Sequence, residues 1–98
     1  MTSILLNTDG TKAVIKPKDG KRFTMDELYE LLECQSVEHI YIDAGHRLVI
    51  DEDAKLRQSH DVFNPVASQM LWDAGGHPTD YIAWKVLLAN LDDLPKNE

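Results

Sequence analysis

Between Val37 and Leu56, VEHIYIDAGHRLVIDEDAKL, apolar and polar side chains alternate with a period of two, the pattern of half-buried strands. Ile40 and Ile42 alternate with Tyr41 and Asp43, and Leu48 and Ile50 alternate with Val49 and Asp51. The stretch predicts two strands and a tight turn. A three-residue loop, Ala44-Gly45-His46, sets Ile42 opposite Leu48 and Ile40 opposite Ile50. A two-residue loop sets Ile42 against Arg47 and mixes the faces, because a slip of one residue turns every side chain over. The longer loop also places Asp43 beside Arg47 and His39 beside Asp51, pairs of compatible charge.

Upstream, Ser3 to Leu6 and Thr11 to Lys16 flank Asn7-Thr8-Asp9-Gly10 and predict an opening hairpin. Thr24 followed by Glu27 is a capping box, and Phe23 with Leu28 has the spacing of a hydrophobic staple. With Leu28, Leu31 and Leu32 on one stripe, these residues predict a helix from Met25 to about Cys34. Asn64-Pro65 predicts a second helix start, with Val66, Ala67, Met70 and Leu71 on its apolar face and Gly75-Gly76 at its end. Thr79 to Asn90 fits strand or helix by period alone. From Asp92 the chain is polar and reads as a frayed tail.

Together these elements predict an α+β domain, 1–98. An antiparallel sheet of four or five strands packs one or two helices on one face. The Ile40/Ile42/Leu48/Ile50 face is expected under the Leu28/Leu31/Leu32 stripe. His39, Tyr41, Val49 and Asp51 then point to the other face, a mixed surface suited to binding unless the Val66–Met70 face of the second helix covers it. Trp72 joins these four as a candidate contact, because aromatic residues dominate binding hot spots. Trp84 is assigned to the core.

Ninety-eight residues make one small core and little pocket. The formal net charge of −7 repels nucleic-acid backbones, so direct nucleic-acid binding is not expected. The apolar runs are too short to span a membrane. Cys34 is the only cysteine, which excludes an internal disulfide and, with no basic and apolar leader at the start, favours a cytoplasmic setting.

Residues able to do chemistry are few. Asp73, His77 and Asp80 match no specific metal spacing, and a solvated loop with a helix-capping histidine accounts for them. Asp51-Glu52-Asp53 fails as a calcium loop, since Leu56 stands at the sixth position and Val62 at the twelfth; a solvated turn is expected. Cys34 lies at a helix C-terminus, where the dipole disfavours a thiolate, so a buried structural thiol is expected. The reading is a protein without catalytic residues, metal or cofactor.

The run from Leu48 to Leu56, LVIDEDAKL, followed by Asn64-Pro65, a short helix and the apolar segment Asp80 to Leu88, resembles a small family of unknown function from phages, plasmids and conjugative elements. Ala54 and Lys85 stand where that family has glycine. The resemblance implies that Asp80 to Leu88 is a strand. It also implies a mobile-element accessory protein of anti-defence or inhibitor type that binds a host protein. Two alternatives stand beside it: an oligomeric binder of a nucleotide signal, needing Arg22, Arg47 and Arg57 to converge on phosphates, and an acidic DNA mimic.

Overall fold

The computed structural model describes residues 2–95. Five strands form one antiparallel sheet: β1 (Ser3–Leu6), β2 (Lys12–Ile15), β3 (Val37–Asp43), β4 (His46–Asp51) and β5 (Val86–Asn90), in the order β2-β1-β5-β4-β3. Two helices complete the domain, α1 (Met25–Leu32) and α2 (Pro65–Asp73). The α+β class, the opening hairpin and both helix starts are as the sequence predicts. No described helix is long and apolar enough to cross a membrane.

The capping box of α1 is fully formed. Thr24 Oγ1 accepts from the Glu27 amide at 3.1 Å, and Glu27 Oε1 accepts from the Thr24 amide at 2.8 Å. Phe23 and Leu28 are both buried in one cluster, so the staple closes as well. The helix ends at Leu32, earlier than expected, because Glu33 takes a left-handed conformation with φ 54°. Helix α2 ends in the glycines. Gly75 adopts φ 97°, and Gly76 approaches Leu71 so closely that a Cβ there would lie 2.6 Å from Leu71 Cγ.

The two helices do not share a face, which corrects the expected layering. Leu28 and Leu32 of α1 pack with Val49, Leu87 and Ala89. Ala67 and Leu71 of α2 pack with Leu6, Leu48 and Val86. Neighbouring residues on a strand point to opposite faces, so the sheet lies between the helices. The Ile40/Ile42/Leu48/Ile50 face is covered from the α2 side, not by α1. Val49, expected on the open face, is fully buried under α1.

The central hairpin differs from the three-residue loop. Ile40 faces Leu48, His39 faces Val49, Tyr41 faces Arg47 and Asp43 faces His46, with a register shift between Tyr41 and Asp43. The turn is the tight Ala44-Gly45 pair. Asp43 Oδ1 closes it by accepting from the Gly45 amide at 2.8 Å and meeting His46 Nδ1 at 2.9 Å. The bulge at Ile42 supplies the extra residue that keeps one apolar face in register, so facing is preserved while the partners move by two.

Strand β5 begins at Val86, not Asp80. Residues 79–85 form a loop whose one bridge joins Ala83 to Phe63. Residues 92–94 are not frayed. Leu94 is buried, its carbonyl accepts from Arg22 Nη1 at 2.9 Å, and Asp93 Oδ2 accepts from Ser3 Oγ at 2.8 Å. The remainder of the expected tail, 96–98, lies outside the described residues.

Candidate partner-binding surface

Asn64 organises the α2 side of the molecule. It is fully buried, and all of its side-chain bonds run to different elements. Its Oδ1 caps α2 by accepting from the Ala67 amide at 3.0 Å. Its Nδ2 donates to the Leu6 carbonyl of β1 at 3.1 Å and to the Trp84 carbonyl at 2.9 Å. One residue thus fastens α2, the sheet and the 79–85 loop together. Ser68 adds a second fastening, accepting from the Ile82 amide at 2.8 Å.

This bracing brings three aromatic rings together on the surface. Phe63, on the bridged segment before α2, is 48% exposed. Its ring centroid lies 6.4 Å from Trp72 on α2 and 6.2 Å from Tyr81 on the loop. The polar ends of the outer two rings are satisfied within the patch. Trp72 Nε1 donates to the Asp80 carbonyl at 2.8 Å, and Tyr81 donates its hydroxyl to Asp61 Oδ1 at 2.8 Å. The rings are therefore held at fixed orientation with their hydrogen bonds already made, which lowers the ordering cost of a contact.

The rim is acidic. Asp61 and Asp80 flank the rings, and Lys55 lies 4.2 Å over the Tyr81 ring and 2.6 Å from Asp80 Oδ1. The Lys55 ammonium holds the Asp80 carboxyl below its ordinary range, so it stays ionised. Asp61, as acceptor, raises the Tyr81 hydroxyl above its ordinary value, so the phenol stays neutral and donating.

The five residues expected to form a binding face separate into three places. Trp72 belongs to the aromatic patch. His39 and Tyr41 are exposed on the α1 side, Tyr41 to 63%. Val49 and Asp51 are buried and offer no contact surface. Asp51 was expected in a solvated turn; instead its Oδ2 meets His60 Nδ1 at 2.8 Å, with Arg57 at 3.8 Å. The His60 ring stacks on Trp84 at 4.0 Å, nearly parallel. Trp84 is half-buried rather than a core residue, sits at φ 72°, and donates Nε1 to the Leu32 carbonyl at 2.8 Å. A non-glycine residue in that region is strained, and these contacts, with the Asn64 bond, hold it there. The group pins the β4–α2 connection across the end of the sheet, a structural task.

Sequence reasoning missed Phe63; Tyr81 stands among the aromatic candidates for recognition, but nothing in the sequence places it beside Trp72. The available signal was the clustering of apolar Val62-Phe63 directly before a helix cap, where polar turn residues are usual. The Asp73/His77/Asp80 group is not gathered: Asp73 bonds Gln69, His77 bonds Thr79 and Asp80 bonds Lys55. His77 orders its own turn and does not cap α2. Cys34 is buried, and desolvation, assisted by the Asp51 charge, pushes its thiol up. Comparison with protein-family models, with curated proteins and with solved structures finds no match to this chain. The resemblance to the mobile-element family therefore rests on the residues quoted for it alone.

Proposed function

We propose that this protein acts by binding another protein through the Phe63/Trp72/Tyr81 patch. The observation that carries the reading is the trio itself: three aromatic rings on the surface, braced from beneath by Asn64 and Ser68. An apolar centre with a charged rim is the general plan of an interface, and rigid aromatic anchors are its usual hot spots. The rim carries carboxylates and the whole chain is −7, so the complementary partner presents an apolar anchor among lysines and arginines. The mobile-element resemblance makes that partner a host protein and the role an accessory one, of anti-defence or inhibitor type.

The DNA-mimic alternative is less well supported. Mimicry needs carboxylates directed outward at phosphate-like spacing. Asp9, Asp19, Glu27 and Asp43 instead accept from backbone amides of their own turns, and Asp51 is buried.

The test is affinity capture from host lysate read by native mass spectrometry, with wild type beside Phe63→Ser and Tyr81→Ser. A basic protein retained by wild type and lost by both variants supports the proposal. Capture that is indifferent to both substitutions refutes the patch as the binding surface.

A further inference from the structure

Helix α1 has eight residues, roughly 12 Å of helix, and it covers the sheet only around Val49, Leu87 and Ala89. The adjoining corner of that face, at the β3–β4 hairpin, is left open. There Arg22, which precedes the α1 cap, lines a cleft of about 330 Å³ together with His39, Arg47 and the segment from Leu91 to Pro95.

The two arginines are held in an unusual way for an acidic protein. Arg22 Nη1 donates to the Leu94 carbonyl at 2.9 Å. Arg47 Nη1 donates to the carbonyls of Asp43 and His46, both at 2.9 Å, and its guanidinium lies 4.7 Å over the Tyr41 ring. Their anchors are neutral carbonyls and a ring face. Among the described residues, neither guanidinium makes an ion pair with a carboxylate. Each is thus oriented through one nitrogen while its charge and its remaining N–H donors stay available. Two of the three arginines in the chain are used in this manner; the third, Arg57, is spent on Asp51.

We infer that Arg22, Arg47 and His39 form a receptor for the phosphate group of a small ligand. Phosphate suits the arrangement because its oxygens can accept from two guanidinium forks at once, where a lone carboxylate engages one. Asp92 also lines the cleft and opposes an anion. The nearby Asp43 carboxylate is engaged by the Gly45 amide and His46. Asp93, in the same segment as Asp92, has its carboxylate engaged by Ser3 Oγ at 2.8 Å. The exposed Tyr41 ring beside Arg47 offers a surface for a base, so a nucleotide and a simple phosphate are the two sources to separate. The site is distinct from the aromatic patch, on the opposite side of the sheet.

The test titrates the full chain with inorganic pyrophosphate, ADP and succinate at matched ionic strength, following amide shifts by NMR and heat by calorimetry. The expected result is saturable one-to-one binding of pyrophosphate, with shifts concentrated at His39, Arg47 and Leu91 to Leu94. Arg47→Gln and Arg22→Gln should each weaken it about tenfold, the loss of one charge-assisted bond, while Lys21→Gln leaves it unchanged. Tighter binding of ADP than pyrophosphate, reversed in Tyr41→Ala, identifies a nucleotide; equal binding identifies the phosphate alone. Wild type showing no saturable shifts at millimolar pyrophosphate overturns the inference whatever the variants do. So does succinate binding as tightly, or well-folded arginine variants that bind as wild type does.

Discussion

Asn64→Asp is the sharpest test of how this fold is held, because it separates two roles of one side chain. Aspartate caps a helix as well as asparagine does, so the bond from the Ala67 amide survives. Both donations from Nδ2, to the Leu6 and Trp84 carbonyls, are lost, and a carboxylate oxygen is turned toward them in a fully buried site. Leaving a buried acceptor unpaired costs about 1–3 kcal/mol. Taking about 2 for the buried Leu6 carbonyl and about 1 for the partly buried Trp84 carbonyl gives about 3 kcal/mol, before any cost of the buried charge. Asn64→Ala loses the cap too, about 1 kcal/mol more. Thr24→Ala, at an exposed cap, should cost about 1 kcal/mol in all. Equilibrium urea unfolding reads all three: with a slope of about 2 kcal/mol per molar, the aspartate variant should unfold about 1.5 M earlier than wild type. If Asn64→Asp is no less stable than Thr24→Ala, the residue is only a cap and the bracing argument fails.

Other expectations follow from the same packing. Val49→Ala should lose about 2 kcal/mol in urea unfolding, since two methyl groups leave a closed core, whereas Tyr41→Ala, on the open edge, should lose under about 1 kcal/mol; similar losses would contradict the burial of Val49 under α1. Gly76→Ala should lower the melting temperature, because its Cβ would meet both Leu71 Cγ at 2.6 Å and the Leu71 carbonyl oxygen at 2.8 Å; an unchanged melting temperature counts against the tight α2 terminus. Because Lys55 depresses the Asp80 carboxyl, the folded state holds fewer protons there than the unfolded chain. Its contribution is present above the ordinary carboxylate range and lost as pH falls through the depressed value. Lys55→Met should move the Asp80 carboxyl titration, followed by carbon NMR, upward toward the ordinary range, and no movement would remove the ion pair as its cause.

The candidate surface was legible only in part. Trp72 was singled out as an aromatic on a helix. Its partners Phe63 and Tyr81 lie 9 residues to either side of it by position, and the bridge between Phe63 and Ala83, with the Asn64 and Ser68 bonds to the 79–85 loop, folds them back together. Asp51 was read as solvated because it sits in a run of three acids. Its burial depends on His60, nine residues downstream, and no local pattern announces that pairing.

Local chemistry was determined by the sequence alone. Thr24-x-x-Glu27 and Asn64-Pro65 start helices because their side chains meet backbone donors two or three residues away, within reach whatever the rest of the chain does. Alternation in the central hairpin likewise determined which residues share a face, and the Ile42 bulge preserved that facing despite a different turn. The tertiary structure decided which helix covers which face. Parity says that Leu48 and Val49 point apart; it does not say that both sides are roofed. The clue lies in continuous apolar runs, Leu48-Val49-Ile50 and Val86-Leu87-Leu88-Ala89, which suit strands buried on both faces. β5 and β4 lie inside the sheet order and the more polar β2 and β3 lie at its edges. That order is set by long-range pairing, β1 with β5 across some eighty residues, and the energy of such a contact belongs to the assembled sheet, not to any segment of the chain.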